Sequence, residues 1–321
     1  MTIGDFTYTD GDPIFNIQYD KDKYVMPETL YKYYALSENS MDAITTPYLY
    51  ASDPNQLNDP LDCHKDIIVI DDEETLQALW KPLYENALQE LGAEWMYENA
   101  SATFKTIINK KYGIISLTEH PDNELMWSHY AQKDGFCVEL DIKSMISSFA
   151  DVGIRAHGPF PINYQEQLPR IRISRIGARA AMAIQCTIKR AAWAYENEWR
   201  LIVSNQLGQD FKCFGCGFEG FNFGNEHDRK IKYSIRSIKR IIFSQTFLES
   251  EKILSNKDGI FEFEISCSDK RRLFDFVIEN NIPTSMRLFL PQDDNKEILG
   301  DSIYMVRLSK IDDTKYSIVE I

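Results

Sequence analysis

The sequence predicts an α+β fold: a single domain in which helices flank a split, largely antiparallel sheet. Three observations point there. Short segments rich in β-branched and aromatic residues, such as YGIISLTE (112–119), GFCVELD (135–141) and EWRLIVS (198–204), read as strands bounded by turn residues. Longer segments with apolar residues at helical spacing occur at 71–91 and about 176–192. The chain closes on SIYMVRLS (302–309) and YSIVEI (316–321), which pair naturally as a hairpin.

Taken in order, residues 1–27 read as a lightly structured lead-in, which leaves 28–321 as the domain. LYKYYAL (30–36) and PYLYAS (47–52) are aromatic strands, with a brief helix between them capped by Ser40. SDPNQLNDPLD (52–62) has Pro, Asn or Asp at nearly every step and is a loop. After it, Leu76, Leu79, Trp80, Leu83, Ala87, Leu88 and Leu91 share one helical face. Acidic residues at 71–74 suit the first turn of that helix, and Gly92 suits its end. A second helix follows over 94–110. MWSHY (126–130) makes a helical turn between the strands 112–119 and 135–141. An alanine-rich helix over 176–192 leads into the strand at 198–204. Residues 205–228 contain five Gly and no periodicity, the pattern of a long loop. IKRIIFS (238–244) reads as a strand and DKRRLFDFVIENN (269–281) as a helix.

The composition is that of an ordinary folded protein, with 44% hydrophobic and 26% charged residues in 321. No apolar run is long enough for a membrane helix, and the first residues have neither the basic nor the apolar region of a signal peptide. The six cysteines, with Cys137 and Cys186 inside apolar stretches, fit reduced core thiols and a cytoplasmic setting. The formal net charge of −14 is unevenly spread. Residues 1–100 carry 20 acids against 5 bases, whereas 155–200 carry 8 bases against 3 acids. Residues 229–240 add 6 bases and no acid. An acidic face and a basic face are expected, the latter as solvated helix surface or as a place for phosphate groups.

Four islands carry a family resemblance: LYKYY (30–34), SDPNQLNDPLD (52–62), SLTEHPDNELMWSHYAQKDGFCVELD (116–141) and WAYENEWRLI (193–202). Together they resemble the bacterial DUF2971 family, over roughly residues 28–245. That family's pattern has a YRY-type strand, an FNDPFE-type loop, an mWshYa block and a yE.EwRli strand. Leu57 and Leu61 stand where the loop usually has Phe, Asp62 where it has Glu, and Lys32 where Arg is at least as common. The Lys matters most, because it lacks the planar fork that grips anions.

The order of polar residues in these islands is similar to the Arg–Ser–Glu order of ADP-ribosyltransferases. The resemblance implies Lys32 in the first place, Ser116 and Thr118 in the second, and Glu196 and Glu198 in the third. It also implies NAD as a consumed substrate. Breaking the nicotinamide–ribose bond passes through an oxocarbenium-like transition state, which a carboxylate stabilises. On this reading Glu198 supplies that charge and Ser116 holds it, while Glu196, taken as two positions along the same strand, serves the acceptor. Lys32 meets the pyrophosphate or ribose, and Tyr33, Trp127 and Tyr130 offer a flat wall. His129 polarises the ligand, and Asn58 and Asp59 place the 52–62 loop at the pocket mouth.

Plainer readings stand beside these. Glu196 and Glu198 fit an exposed strand face paired with Arg200, Trp127 and Tyr130 fit a core, and His129 fits a half-buried packing position. Cys213 and Cys216 form a lone CxxC; His227 and Cys267 complete a zinc set only loosely, and no metal is expected. The sequence has no Walker loop, GxGxxG, GxSxG or HExxH. The expectation is an NAD-consuming transferase acting on nucleic acid or protein, as a bacterial toxin or anti-phage effector with an antitoxin or regulatory partner. A non-catalytic binding or regulatory module built from the same islands is the alternative. A magnesium nuclease using Asp59, Asp62 and Glu198 is a third.

Overall fold

The structure, a computed structural model, describes residues 1–11, 15–71, 112–151, 154–205, 226–257, 259–291 and 299–321. The helices expected at 71–92 and 94–110, and the Cys213–Cys216 motif, fall outside these residues. Two compact units emerge. The first takes Met1–Met26, Leu49–Ser116 and Phe149–Ile231, the second Pro27–Tyr48, Leu117–Ser148 and Lys232–Ile321. The elements expected for the 28–321 domain are distributed between them.

In the first unit, the residues read as a lead-in are a structured part of the core. Phe6–Asp10 pairs antiparallel with Phe15–Tyr19 on one side and with Thr2–Ile3 on the other. Alternation turns Phe6, Tyr8 and Ile17 inward, where they join Ile114, Ala181, Ile184, Ile188 and Ile202. Full burial of one such side chain contributes roughly 1.5–3 kcal/mol, more than a loose terminal segment retains. The Tyr8 hydroxyl keeps a partner in this core, accepting from Asn163 Nδ2 at 3.3 Å.

The alanine-rich helix is shorter than its composition suggests, running Ala178–Thr187. It starts after Gly177, whose φ of +83° leaves no room for a side chain: a Cβ there would stand 2.3 Å from Asp10 Oδ2. Asp10 instead accepts the Ala180 N–H at 3.0 Å, so the N-terminal sheet caps this helix. Thr187 and Ile188, both β-branched, then take the chain into the extended Ile188–Arg190, which pairs parallel with Asn163–Gln165. A 3-10 helix, Ala191–Glu196, follows. Beyond it the Glu198–Asn205 strand runs antiparallel to Ile154–Pro161 and beside residues 112–116.

The second unit is built on a largely antiparallel sheet in the order Lys252–Lys257, Ile260–Glu264, Lys315–Glu320, Leu299–Lys310, Thr284–Pro291, Ile238–Phe243, Phe136–Asp141, Thr29–Tyr34. Its parallel pair is Ile238–Phe243 with Thr284–Pro291. The closing hairpin is present as expected. So is the late helix, Ser268–Glu279. The early helix runs Glu38–Thr45 and is capped by Ser37, one turn before the expected Ser40. Ser40 completes a reciprocal box, since its N–H donates to Ser37 Oγ and its Oγ accepts the Ser37 N–H at 2.9 Å. Among the described residues no helix is long and apolar enough to cross a membrane.

Candidate functional site

Two of the four islands meet in the first unit through Arg200. This side chain is 1% exposed and spends all five of its N–H donors. Nε donates to Glu198 Oε1 at 2.6 Å and Nη2 to Glu198 Oε2 at 3.0 Å. Nη1 and Nη2 also fork onto the two oxygens of Asp62, and Nη1 reaches the Cys186 carbonyl at 3.0 Å. Strand geometry explains the first pair, because Glu198 and Arg200 are two apart on Glu198–Asn205 and share a face. Asp62 arrives from the far end of the 52–62 loop. A third island contributes Ser116, whose hydroxyl hydrogen-bonds Glu198.

Lys189 joins from the short Ile188–Arg190 strand. Its Nζ donates to Glu198 Oε2 at 3.0 Å, lies 3.5 Å from Asp62 Oδ2, and makes a close ion pair with Glu196. It also stands 5.1 Å from the centre of the Trp193 ring. Glu196 reaches this cluster differently from the expectation. It ends the 3-10 helix rather than lying on the strand, and Asn197 at φ +42°, ψ +51° reverses the chain between the two glutamates. The two carboxylates therefore converge on one lysine and do not sit side by side on a strand face.

Neither glutamate is the exposed side chain of the plainer reading; both are buried. Burial works to raise Glu198, but the charges of Arg200 and Lys189, with hydrogen bonds from Arg200 and Ser116, hold it far below the usual carboxylate range. Burial likewise works to lower Lys189, and Glu198, Glu196 and Asp62 reverse this and raise it. Three carboxylates face two cations, so this buried cluster carries a formal net charge of −1. Such an enclosure favours a further positive charge and disfavours an anion. Arg200 also stands between Asp62 and Glu198, where a nuclease would need Mg²⁺. Among the described residues no group of His, Cys, Asp and Glu is arranged to hold a metal ion, His227 and Cys267 included.

The other expected residues are placed as follows. Asn58 is exposed, while Asp59 is buried with Oδ1 accepting the Leu61 N–H at 3.0 Å. Lys32, Tyr33, Thr118, Trp127, His129 and Tyr130 belong to the second unit. There Lys32 is half-buried on Thr29–Tyr34, and Thr118 is buried on the strand next to it, paired with Tyr31. Tyr33 and Trp127 pack edge to face at 5.1 Å. Their polar groups are taken up by the backbone, the Tyr33 hydroxyl donating to the His120 carbonyl and Trp127 Nε1 to that of Pro121, each at 2.7 Å. For Trp127 the core reading describes the packing. His129 is exposed rather than half-buried, with its ring 6.4 Å from that of the half-buried Tyr130.

Sequence reasoning missed Lys189 altogether and took Arg200 for a surface partner. The signal for Arg200 was present: Glu198-x-Arg200 keeps two opposite charges on one face of a strand otherwise apolar from Trp199 to Val203. Lys189 left none, since a lysine between an alanine-rich helix and Arg190 looks like any solvated charge. The basic balance of 155–200 is correspondingly less of a surface feature than it appeared, because two of its bases are internal.

Residues 126–201 match the family model described as "Protein of unknown function (DUF2971)". The match covers part of the third island and nearly all of the fourth, and it includes Lys189, Glu196, Glu198 and Arg200. No curated protein and no solved structure matches the chain significantly.

Proposed function

We propose that this chain is an NAD-consuming, ADP-ribosyltransferase-like enzyme that modifies a macromolecular target, nucleic acid or protein, in the manner of a bacterial toxin or anti-phage effector. The observation that carries the reading is the net-negative cluster at Glu198, with Ser116 on the same carboxylate. The nicotinamide–ribose bond breaks with positive charge accumulating on the ribose, and a fixed negative charge nearby stabilises that state more than the ground state. At about 5 Å and an effective dielectric constant of about 20, one such charge contributes about 3 kcal/mol. Arg200 and Lys189 keep Glu198 ionised and fixed in place. Glu196, held by Lys189 at the end of the 3-10 helix, is the group assigned to the acceptor. The test is direct: incubate the purified chain with millimolar NAD, alone and with bacterial lysate, and measure released nicotinamide. Release above the spontaneous rate supports the reading, and none in either condition ends it.

One observation favours a second reading. Glu198 is only 5% exposed, and Arg200 has no donor left over. A network so complete explains the co-occurrence of the islands as folding alone, in a non-catalytic binding or regulatory module. That module would show no nicotinamide release and would lose stability, and no catalytic rate, when the cluster is changed.

A further inference from the structure

We infer that Arg190 and Asp59 form a subsite for the phosphate-bearing sugar of a nucleotide. This deepens the NAD reading and rests on it for the ligand's class. Neighbouring residues on a strand point to opposite sides. Lys189 points into the charged cluster, and Arg190 sends its side chain outward, where it is 41% exposed. Its Nε is nevertheless buried and lies 3.5 Å from Oδ2 of Asp59, whose side chain is 2% exposed.

The contact is an ion pair without a hydrogen bond: neither Arg190 Nε nor Asp59 Oδ2 has a hydrogen-bond partner. Asp59 satisfies only its other oxygen, through the Leu61 N–H. A buried carboxylate oxygen left without a donor is costly and rare in folded proteins. The group set over it is the half-exposed Arg190, which a ligand can move. A phosphate draws a guanidinium into a forked pair. Moved outward onto a phosphate, Arg190 uncovers Oδ2, and a hydroxyl close to that phosphate can donate there. A ribose phosphate supplies both groups at once; a bare anion supplies one and meets the repulsion of Asp59.

The subsite adjoins the cluster. Arg190 holds the N-cap position of the 3-10 helix Ala191–Glu196 with an extended backbone and no side-chain capping bond, directly after Lys189. Trp193 and Glu196 of that helix contact Lys189.

The experiment is calorimetric titration of the full chain with ADP-ribose and, separately, with adenosine, which lacks the phosphate. It is run on the natural chain, Arg190→Ala and Arg190→Lys. The natural chain is expected to bind ADP-ribose, and Arg190→Ala to weaken that binding by roughly tenfold to hundredfold, the loss of one charge-assisted fork. Arg190→Lys should fall between the two, and adenosine should be affected less than ADP-ribose. Arg190→Ala leaves the buried Asp59 carboxylate without its ion-pair partner and should lower the thermal midpoint, so Arg190→Lys, which keeps the charge beside Asp59, is the variant that checks folding. A loss below tenfold for Arg190→Ala, an equal loss for adenosine, or no binding of millimolar ADP-ribose by the natural chain overturns the subsite. The two readings fail separately. Nicotinamide release with an unchanged KM for NAD in Arg190→Ala removes the subsite alone, and ADP-ribose binding through Arg190 without nicotinamide release removes the transferase alone.

Discussion

Arg200 and Asp62 stand 138 residues apart in the chain and meet as a forked pair inside the first unit, with Nη1 2.8 Å from Oδ1. The pair joins the loop island to the strand island, and Glu198 on the other edge of the same guanidinium fixes the strand end.

Removing one member of a buried pair leaves the other charge without compensation. Asp62→Ala is therefore expected to cost about 3–5 kcal/mol. An exposed pair such as Lys252–Glu264, at 72% and 39% side-chain exposure, should lose less than about 1 kcal/mol when Lys252 becomes Ala. Urea unfolding of both variants checks the contrast. Arg200→Lys should resemble Asp62→Ala more than the natural chain, because an ammonium cannot reach Asp62, Glu198 and the Cys186 carbonyl together.

The N-terminal strands make a second case. Phe6 is fully buried among Ile17 and the residues of the Ala178–Thr187 helix, so Phe6→Ala should cost about 3–5 kcal/mol in the same measurement. A change below about 1 kcal/mol would return residues 1–26 to the status of a lead-in. Their place in the core was legible in retrospect: Phe6-Thr-Tyr8-Thr and Phe15-Asn-Ile17-Gln-Tyr19 both alternate apolar and polar. The Pro and Gly residues around them, and the position at the chain start, outweighed that pattern.

Acid should unfold the first unit early. Glu198 titrates in the folded chain below its ordinary value of 4.5, so its contribution is complete above pH 4.5 and lost as pH falls toward the folded value. His157 acts in the same direction from a higher pH. Burial, with the charge of Arg155 in support, pushes its imidazole down to about 4 from 6.5. The unfolded chain therefore takes up a proton between about pH 6.5 and 4 that the folded chain refuses, and stability falls over that window. Thermal midpoints measured from pH 7 to 3 should drop progressively, and His157→Phe should flatten the upper part of the curve. A curve unchanged in His157→Phe between pH 6.5 and 4 would contradict the assignment.

The strands at 112–119, 135–141, 198–204 and 238–244 and the closing hairpin were legible because each is a local pattern of β-branched and aromatic residues. The strands Ile154–Pro161, Lys252–Lys257 and Thr284–Pro291 were not, since they hold Gly, Pro or exposed polar residues and depend on neighbours distant in sequence. The site divides the same way. Glu198 and Ser116 could be named from motif order, and the two side chains interact in the first unit. The partners that set the charge of Glu198 could not. Arg200 and Lys189 become internal only when the 52–62 loop, the Ile188–Arg190 strand and the 3-10 helix close around them, and the sequence offers no measure of that closure.

The measurement that bears most directly on the transferase reading is the rate of nicotinamide release by the natural chain, Glu198→Gln and Ser116→Ala. Gln keeps the size of Glu198 and most of its hydrogen bonds and removes the charge. Loss of one preorganised electrostatic group of this kind should slow the reaction roughly 100- to 1,000-fold. Ser116→Ala removes one hydrogen bond from the same carboxylate and leaves its charge, so its rate should fall by about tenfold, with a cost to stability of about 1 kcal/mol. That variant keeps the comparison informative where Glu198→Gln also loosens the fold. A graded loss, natural chain over Ser116→Ala over Glu198→Gln, is the expected result. Equal rates in all three would contradict the claim that the charge at Glu198 drives the chemistry, and so would the absence of release from the natural chain.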